Sequence, residues 1–466
     1  MSESREDDAV LEQAHKLATA YLRSLPDRHV GATASLEALR GAAGQALTDE
    51  GVDASTVIRD LGALAEAGTV ASAGPRYFGF VIGGSYPVAL GADWLVSAWD
   101  QNPGIYATSP FSAVVEDAAA RYVIDVLGMP PQSTVGFTTG CQMANFTALA
   151  AARHKVLGDV GWDVEADGLN GAPTVNIVMG AEAHVTIHTA LRYLGMGLRH
   201  AKLVAADGQG RMIASELEKV LAGCSGPTIV CAQAGNVNSG AFDPLDAIAA
   251  LTNARGAWLH VDGAFGLWAR ASTQLAHLAR GAEQADSWAT DAHKWLNVPY
   301  DCGIVVVKHG DAHRDAMAVR AAYLEHAANA ERDELEYVPE FSRRGRAIPV
   351  YATLRHLGRR GVAGLVERCC AHARLFAGLL AAEEGVEILN DVVLNQILVR
   401  FGDSDEATRE VIARVQRDGT CWLGGTTSQG KAAMRISVSN WSTSEDDVLR
   451  SARAIIAVHK AGRSGA

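Results

Sequence analysis

Short apolar runs alternate with helical stretches through the middle of this chain. The runs are Val135–Phe137, Thr174–Met179, Lys202–Val204, Thr228–Ala232, Ala257–Val261 and Cys302–Val307. Each has the length of a strand, and most are apolar throughout, the pattern of strands covered on both faces. Between them Ala113–Leu127, Gln142–Lys155 and Ser215–Leu221 carry apolar residues at helical spacing. Strand and helix in alternation predict βαβ units, hence an α/β fold with a mostly parallel sheet flanked by helices. Ahead of this region Val10–Leu25, Ser35–Ala46 and Ala54–Glu66 read as three helices without a core of their own, a helical N-terminal arm over residues 1–76. A large domain then spans 77–345. Beyond Arg346 the pattern predicts helices over Val350–Leu357 and Gly361–Glu383, a strand at Leu394–Phe401, a helix at Glu406–Asp418, a strand at Ala433–Ser437 and a last helix to about Lys460. That order describes an α+β C-terminal domain over 346–466.

Length and charge narrow the class. At 466 residues the chain exceeds one ordinary core. With 48% hydrophobic and 20% charged residues the profile is that of a soluble globular protein. A net charge of -12 argues against nucleic acid or an anionic membrane as partner. The seven cysteines are odd in number and form no CxxC pair, which argues against a disulfide framework or a structural zinc site. The opening MSESREDDAV has no apolar core of a signal peptide, and no apolar run reaches membrane-spanning length. A cytoplasmic, reducing setting is expected.

In an open α/β sheet ligands bind beyond the carboxyl ends of the strands. The residues found there are polar or small at every predicted strand. Thr138-Thr139-Gly140-Cys141-Gln142 opens a helix whose amides can hold a phosphate. Gly180 and then His184 follow the second run, Gln233 to Asn236 the fourth, and Asp262, Gly263 and Ala264 the fifth. Lys294 sits between His293 and Trp295, just ahead of the apolar run Cys302–Val307. Apolar neighbours disfavour the ammonium form, so this lysine is expected to have lowered basicity, as a Schiff-base lysine requires. One chemistry uses all of these groups. Pyridoxal phosphate needs a lysine, a carboxylate at its ring nitrogen, a phosphate cradle and a planar group over the ring.

The motifs make this specific. WLHVDGAFG (Trp258–Gly266), DAHKW (Asp291–Trp295), AHVTIHTALRYLG (Ala183–Gly195) and TTGCQMANFTALAAAR (Thr138–Arg153) resemble those of the group II pyridoxal-phosphate-dependent amino-acid decarboxylases, the aromatic-L-amino-acid, glutamate and histidine decarboxylase family of fold-type I. The resemblance implies that Lys294 binds the cofactor covalently, Asp262 meets its ring nitrogen and His184 stacks on the ring. It places Gly140, Cys141 and Gln142 at the phosphate, with Asn236, Ala264, Asp291 and His293 around the cofactor. It also aligns Ala322–His326 with a catalytic loop, in which Tyr323 returns a proton to the substrate after CO₂ leaves. A homodimer with a shared active site is implied too.

The chain departs from the family pattern in places. Asp291 stands where many members have asparagine, Gly263 replaces the usual alanine, Val81-Ile82 replaces a Pro-Thr pair of aromatic-amino-acid members, and His188 is unusual. These positions bear on substrate more than on cofactor. The expected reaction is α-decarboxylation of an L-amino acid; Tyr77, Phe78, Phe80, Trp99 and Tyr106 suit an aromatic side chain and would equally serve packing. Aldehyde synthesis or carbon–carbon lyase action on the same cofactor is the alternative. Arg435 is a candidate contact for a substrate carboxylate. A zinc hydrolase built on His184 and His188 lacks the glutamate such a motif requires, having Val185 in its place.

Overall fold

The computed structural model describes residues 3–44, 46–318 and 332–463. Seven strands form the central sheet: β1 (Thr134–Thr138), β2 (Asn176–Gly180), β3 (Lys202–Val204), β4 (Thr228–Gln233), β5 (Trp258–Asp262), β6 (Ser287–Asp291) and β7 (Gly303–Val307). Their order is β1-β7-β6-β5-β4-β2-β3. β3, β2, β4, β5 and β6 run parallel, and β7 is antiparallel to both β6 and β1. Two reversals cancel, so β1 points the same way as β6, and six strands bring their carboxyl ends to one edge. The mostly parallel sheet expected from the sequence is therefore present. β6, whose SWATD run is short and half polar, was the least legible strand, and every one of its residues is buried.

Each strand divides its side chains between two cores. Ile229 and Cys231 of β4 and Trp258 of β5 pack with the Cys141–Gly158 helix, together with Ala144, Ala148 and Ala151. Val230, Leu259 and Val261 face the other way, into the core that also holds Trp268, Leu354 and Phe376. Period-two alternation thus persists beneath an apolar sequence, because both faces are covered.

A second sheet holds β8 (Val386–Ile388), β9 (Gln396–Phe401), β10 (Gly424–Ser428) and β11 (Lys431–Ser437), all antiparallel in the order β10-β11-β9-β8. The sequence predicted β9 and β11, which pair with each other, but not the strands on their outer sides, β8 and β10. β8 has three residues, and β10, GGTTS, lacks large apolar residues. What marks the β10–β11 hairpin is its turn: Gln429 and Gly430 both have positive φ, 50° and 77°, as a two-residue turn matching strand twist requires. The two helices expected after Arg346 follow one another over Ala347–Ala381, parted by a kink at Gly358 with φ 58° and ψ 178°. In the arm, the helices Leu36–Ala43 and Ala54–Gly68 bury no residue. Among the described residues no helix is long and apolar enough to cross a membrane.

Two contacts set the edge that matters. Gly303, the first residue of β7, pairs with both Asp291 and Thr138. A Cβ there would stand 2.3 Å from the carbonyl carbon of Gly140, so only glycine lets β7 pass beneath the turn that opens the Cys141 helix. Behind β1, buried Arg343 donates to Glu116 Oε1 at 2.8 Å and to the carbonyl of Phe137 at 2.9 Å. Arg343→Ala leaves Glu116 buried without its partner and is expected to lower stability by about 3–5 kcal/mol in denaturant melts. Gly303→Ala should cost about 1–3 kcal/mol by overpacking against backbone, read the same way.

Candidate functional site

The carboxyl ends of β1, β5 and β6 bring three sequence motifs together. Asp262 closes β5 and Asp291 closes β6, both buried. The Cys141–Gly158 helix starts just after β1, and its N-cap residue, Gly140, has no side chain with which to cap it. Cys141 touches both carboxylates: its backbone N–H donates to Asp291 Oδ1 at 2.6 Å, and its thiol donates to Asp262 Oδ1 at 3.5 Å. Burial first, then the two carboxylates, push the thiol's pKa well above its ordinary value, so it serves as a neutral donor.

Lys294 lies on the turn after β6, its Nζ 2.9 Å from Asp291 Oδ2. Here the structure corrects the expectation of lowered basicity. Burial does work to lower the pKa of Lys294 and is the largest single influence, but Asp291, with Asp262 adding a smaller pull, outweighs it and raises the pKa. The ammonium is held by an ion pair that the DAHKW spacing creates, a carboxylate three residues before the lysine. His293 has the opposite bias. Burial lowers its pKa. Its Nδ1 accepts the N–H of Cys302 at 3.1 Å, which leaves Nε2–H facing Asp291 Oδ1 at 3.5 Å. Tyr300 stacks on its ring with centroids 4.3 Å apart.

His184 is the N-cap of the Val185–Tyr193 helix, its Nδ1 2.9 Å from Thr186 Oγ1. Burial lowers its pKa too. Asp262 is met by three donors: Asn145 Nδ2 at 3.2 Å, the Ala264 N–H at 3.2 Å and the Cys141 thiol. Gly263 has a local reason, since a Cβ there would stand 2.7 Å from that of Leu267. Gly140, Cys141, His184, Asp262, Ala264, Asp291, His293 and Lys294 therefore gather at one edge, with Gln142 in the first turn of the helix. Asn236 does not join them through its side chain: Asn236 Oδ1 accepts the N–H groups of Asn238 and Ser239, closing a turn. Tyr323 lies outside the described residues, with the rest of the 319–331 segment. Beyond it, Asp333 accepts the N–H of Tyr106 at 2.8 Å and the Leu335 N–H donates to Gly104, so the chain returns beside the aromatic loop.

Sequence reasoning passed over Asn145, Thr186, His260 and Tyr300. Two of these carried a signal. Asn145 lies one helical turn after Cys141, and His260 lies two residues before Asp262, hence on the same face of β5. Tyr300 had no periodic neighbour to expose it, and only the turn after Lys294 places it on His293.

The donor set fits pyridoxal phosphate. A lysine, a carboxylate held by donors, a helix start with glycine at its N-cap and a half-buried histidine surround one edge, and glycine is required where β7 passes under the cradle.

Known proteins agree. Residues 37–401 match the family described as the pyridoxal-dependent decarboxylase conserved domain. The acidic amino acid decarboxylase GADL1 of Homo sapiens is 30% identical over 323 residues, 68% of this chain and 61% of that protein. The chain thus spans less than two thirds of that relative's length. An aromatic-L-amino-acid decarboxylase of Bacillus atrophaeus is 24% identical over 453 residues, 94% of this chain and 92% of that one. The crystal structure of Oryza sativa TDC with PLP and tryptamine superposes with a TM-score of 0.91 at 21% identity, covering 98% of each chain, which establishes the fold-type I architecture. With its site residues gathered as its motifs require and its family match spanning most of its length, the chain belongs to the pyridoxal-dependent decarboxylase family.

Proposed function

We propose that this protein is a pyridoxal-phosphate-dependent carboxy-lyase that removes the α-carboxylate of an L-amino acid to give the amine and CO₂. The observation that carries the reading is the convergence of Lys294, Asp262 and the Cys141 helix start on a single edge of the sheet. When bound, pyridoxal phosphate supplies an electron sink conjugated to the substrate Cα.

The chain's own residues have the following parts in this reading. Lys294 anchors the cofactor covalently. Asp262 would meet the ring nitrogen, and the donors around it keep its oxygens in place. His184 would stack on the ring and Ala264 would pack under it. Gly140, Cys141 and Gln142 would border the phosphate, with the amides of Gly140 and Gln142 and the helix dipole turned to it while the Cys141 amide stays on Asp291, and His293 would lie beside it. Asp291 is a carboxylate in the same region, and its contact with the Cys141 amide and Lys294 organises both ends of the cofactor's seat. Tyr323 delivers the proton to the substrate Cα.

Substrate class is less determined than reaction type. Arg435 donates at 3.4 Å to Asn238 Oδ1 and at 3.5 Å to the carbonyl of Val237, and has no ion-pair partner among the described residues. Burial lowers its pKa, which a substrate carboxylate would reverse. The relatives named above act, by their names, on acidic and on aromatic amino acids, so both classes belong in the first screen.

A homodimer is part of the same proposal. The arm exposes Leu11, Leu36 and Leu61, and an apolar groove of about 790 Å³ runs between it and the body, lined by Tyr21, Leu22, Leu25, Leu90, Trp94 and Trp441. A second copy would bury these surfaces.

The purified protein should show the visible absorbance of lysine-bound cofactor, and borohydride reduction with peptide mapping should place the label on Lys294; a protein that gains no chromophore from added pyridoxal phosphate sinks the reading. Incubation with L-amino acids should release CO₂ and amine in equal amounts. Tyr323→Phe is expected to move products toward aldehyde, and an unchanged ratio removes the role of that tyrosine. Arg435→Leu should raise KM by about tenfold or more if it holds a carboxylate, with kcat less affected.

A further inference from the structure

A hydrogen-bond chain has a direction wherever a member can act in one way only. The chain behind Asp262 can be assigned from both ends. An indole N–H only donates, and that of Trp258 reaches Ser287 Oγ at 2.9 Å. The Ser287 hydroxyl proton is then free for His260 Nδ1, 3.0 Å away. At the other end a carboxylate only accepts, so Asn145 must turn its NH₂ toward Asp262 Oδ2, at 3.2 Å; the same group reaches Thr186 Oγ1 at 3.3 Å. Asn145 Oδ1 is thereby directed to His260 Nε2 at 2.9 Å, and Nε2 must donate. The two ends agree on one tautomer: Nδ1 accepting and Nε2 protonated. Burial supports it by taking the pKa of His260 down to about 4, with Asp262 opposing. Thr186 passes the order on. Its hydroxyl accepts from Asn145 and gives its proton to His184 Nδ1, which leaves Nε2–H on His184.

We propose that His260, acting through Asn145, is a positioning residue that holds Asp262 as an acceptor-only carboxylate turned to the cofactor's ring nitrogen and sets the tautomer of His184. This deepens the functional reading above and rests on it for the place of the ring. The physical content is that all three groups on Asp262 donate: Asn145 Nδ2, the Ala264 N–H and the Cys141 thiol. A protonated Asp262 would meet donors on every side. Without the Nε2–H of His260 the Asn145 carbonyl oxygen loses its donor, and the amide is held only at its NH₂ end, by Asp262 and Thr186, so its grip on the carboxylate loosens.

Two measurements test this. In ¹⁵N-histidine-labelled protein without cofactor at pH 7, His260 should show the neutral Nε2–H tautomer; an imidazolium or the Nδ1–H tautomer overturns the proposal, and no substitution is needed. Dissociation constants for pyridoxal phosphate and for its analogue with carbon in place of the ring nitrogen give the second readout. His260→Phe should weaken pyridoxal phosphate about tenfold and leave the analogue within about twofold. His260→Gln, whose amide can still donate to Asn145, should recover most of the loss. An equal loss for both compounds, or no recovery in His260→Gln, shows a merely structural histidine and overturns the proposal. Wild-type protein that binds neither compound removes the cofactor reading instead, while the tautomer readout stands.

Discussion

One carboxylate joins the parts of this site that come from distant sequence. Asp291 gives one oxygen to the amide that starts the Cys141 helix and the other to the ammonium of Lys294. A buried carboxylate costs several kcal/mol unless it is paired and hydrogen-bonded. Here the cost is offset by a cation, by a backbone amide and by the positive end of a helix. The helix start and the lysine therefore cannot shift independently. Whatever binds between them meets a seat whose two ends are already joined.

The turn carrying Lys294 is fastened from several directions. Asn297, with φ 56°, accepts the N–H groups of Gly84 and Trp441 through Oδ1 and donates through Nδ2 to the carbonyls of Trp295 and Ser439. Gly83 passes so close that a Cβ would lie 1.9 Å from the Lys294 carbonyl oxygen. The turn is thus where the segment after the arm, the central sheet and the C-terminal part of the chain meet. Phe80 and Val81, also at positive φ (53° and 61°), sit a few residues away. Such backbone costs on the order of 1–3 kcal/mol per residue and persists where surroundings over-determine it. Strain is concentrated where the aromatic loop meets the lysine turn, and Val81 is one of the positions at which this chain departs from the family pattern.

Electrostatics and packing divide the labour. The sheet and its two cores set where the strand ends lie, and the donors then decide which way each polar group points. His293 and His184 are both held with Nδ1 accepting, and burial lowers the pKa of both. Lys294 goes the other way because its partner is a full charge at 2.9 Å. Asp291 pulls the pKa of both sequence neighbours upward, but at His293 the contact is weak and burial wins, whereas at Lys294 the ion pair wins over burial.

Much of the fold was legible because doubly covered strands leave continuous apolar runs, and helices leave a 3.6-residue period. Local chemistry was legible as well: Lys294, Asp262, His184 and the Gly140–Gln142 turn stood at strand ends, where an α/β sheet places its ligands. β8 and β10 were not, since three residues or a GGTTS run bury too little to announce themselves. The sequence could give the composition of the site but not the sign of the shift at Lys294, because that depends on a 2.9 Å contact rather than on apolar neighbours. Nor could it show that His260, Asn145 and Thr186 form one directed chain, since those residues are brought within hydrogen-bond reach only when β5 and the Cys141 helix pack. By itself, then, the sequence determined which elements form and which groups stand at their ends. Tertiary structure decided who pairs with whom, because a hydrogen bond is lost within an ångström or so of its best length and only folded packing sets distances that finely.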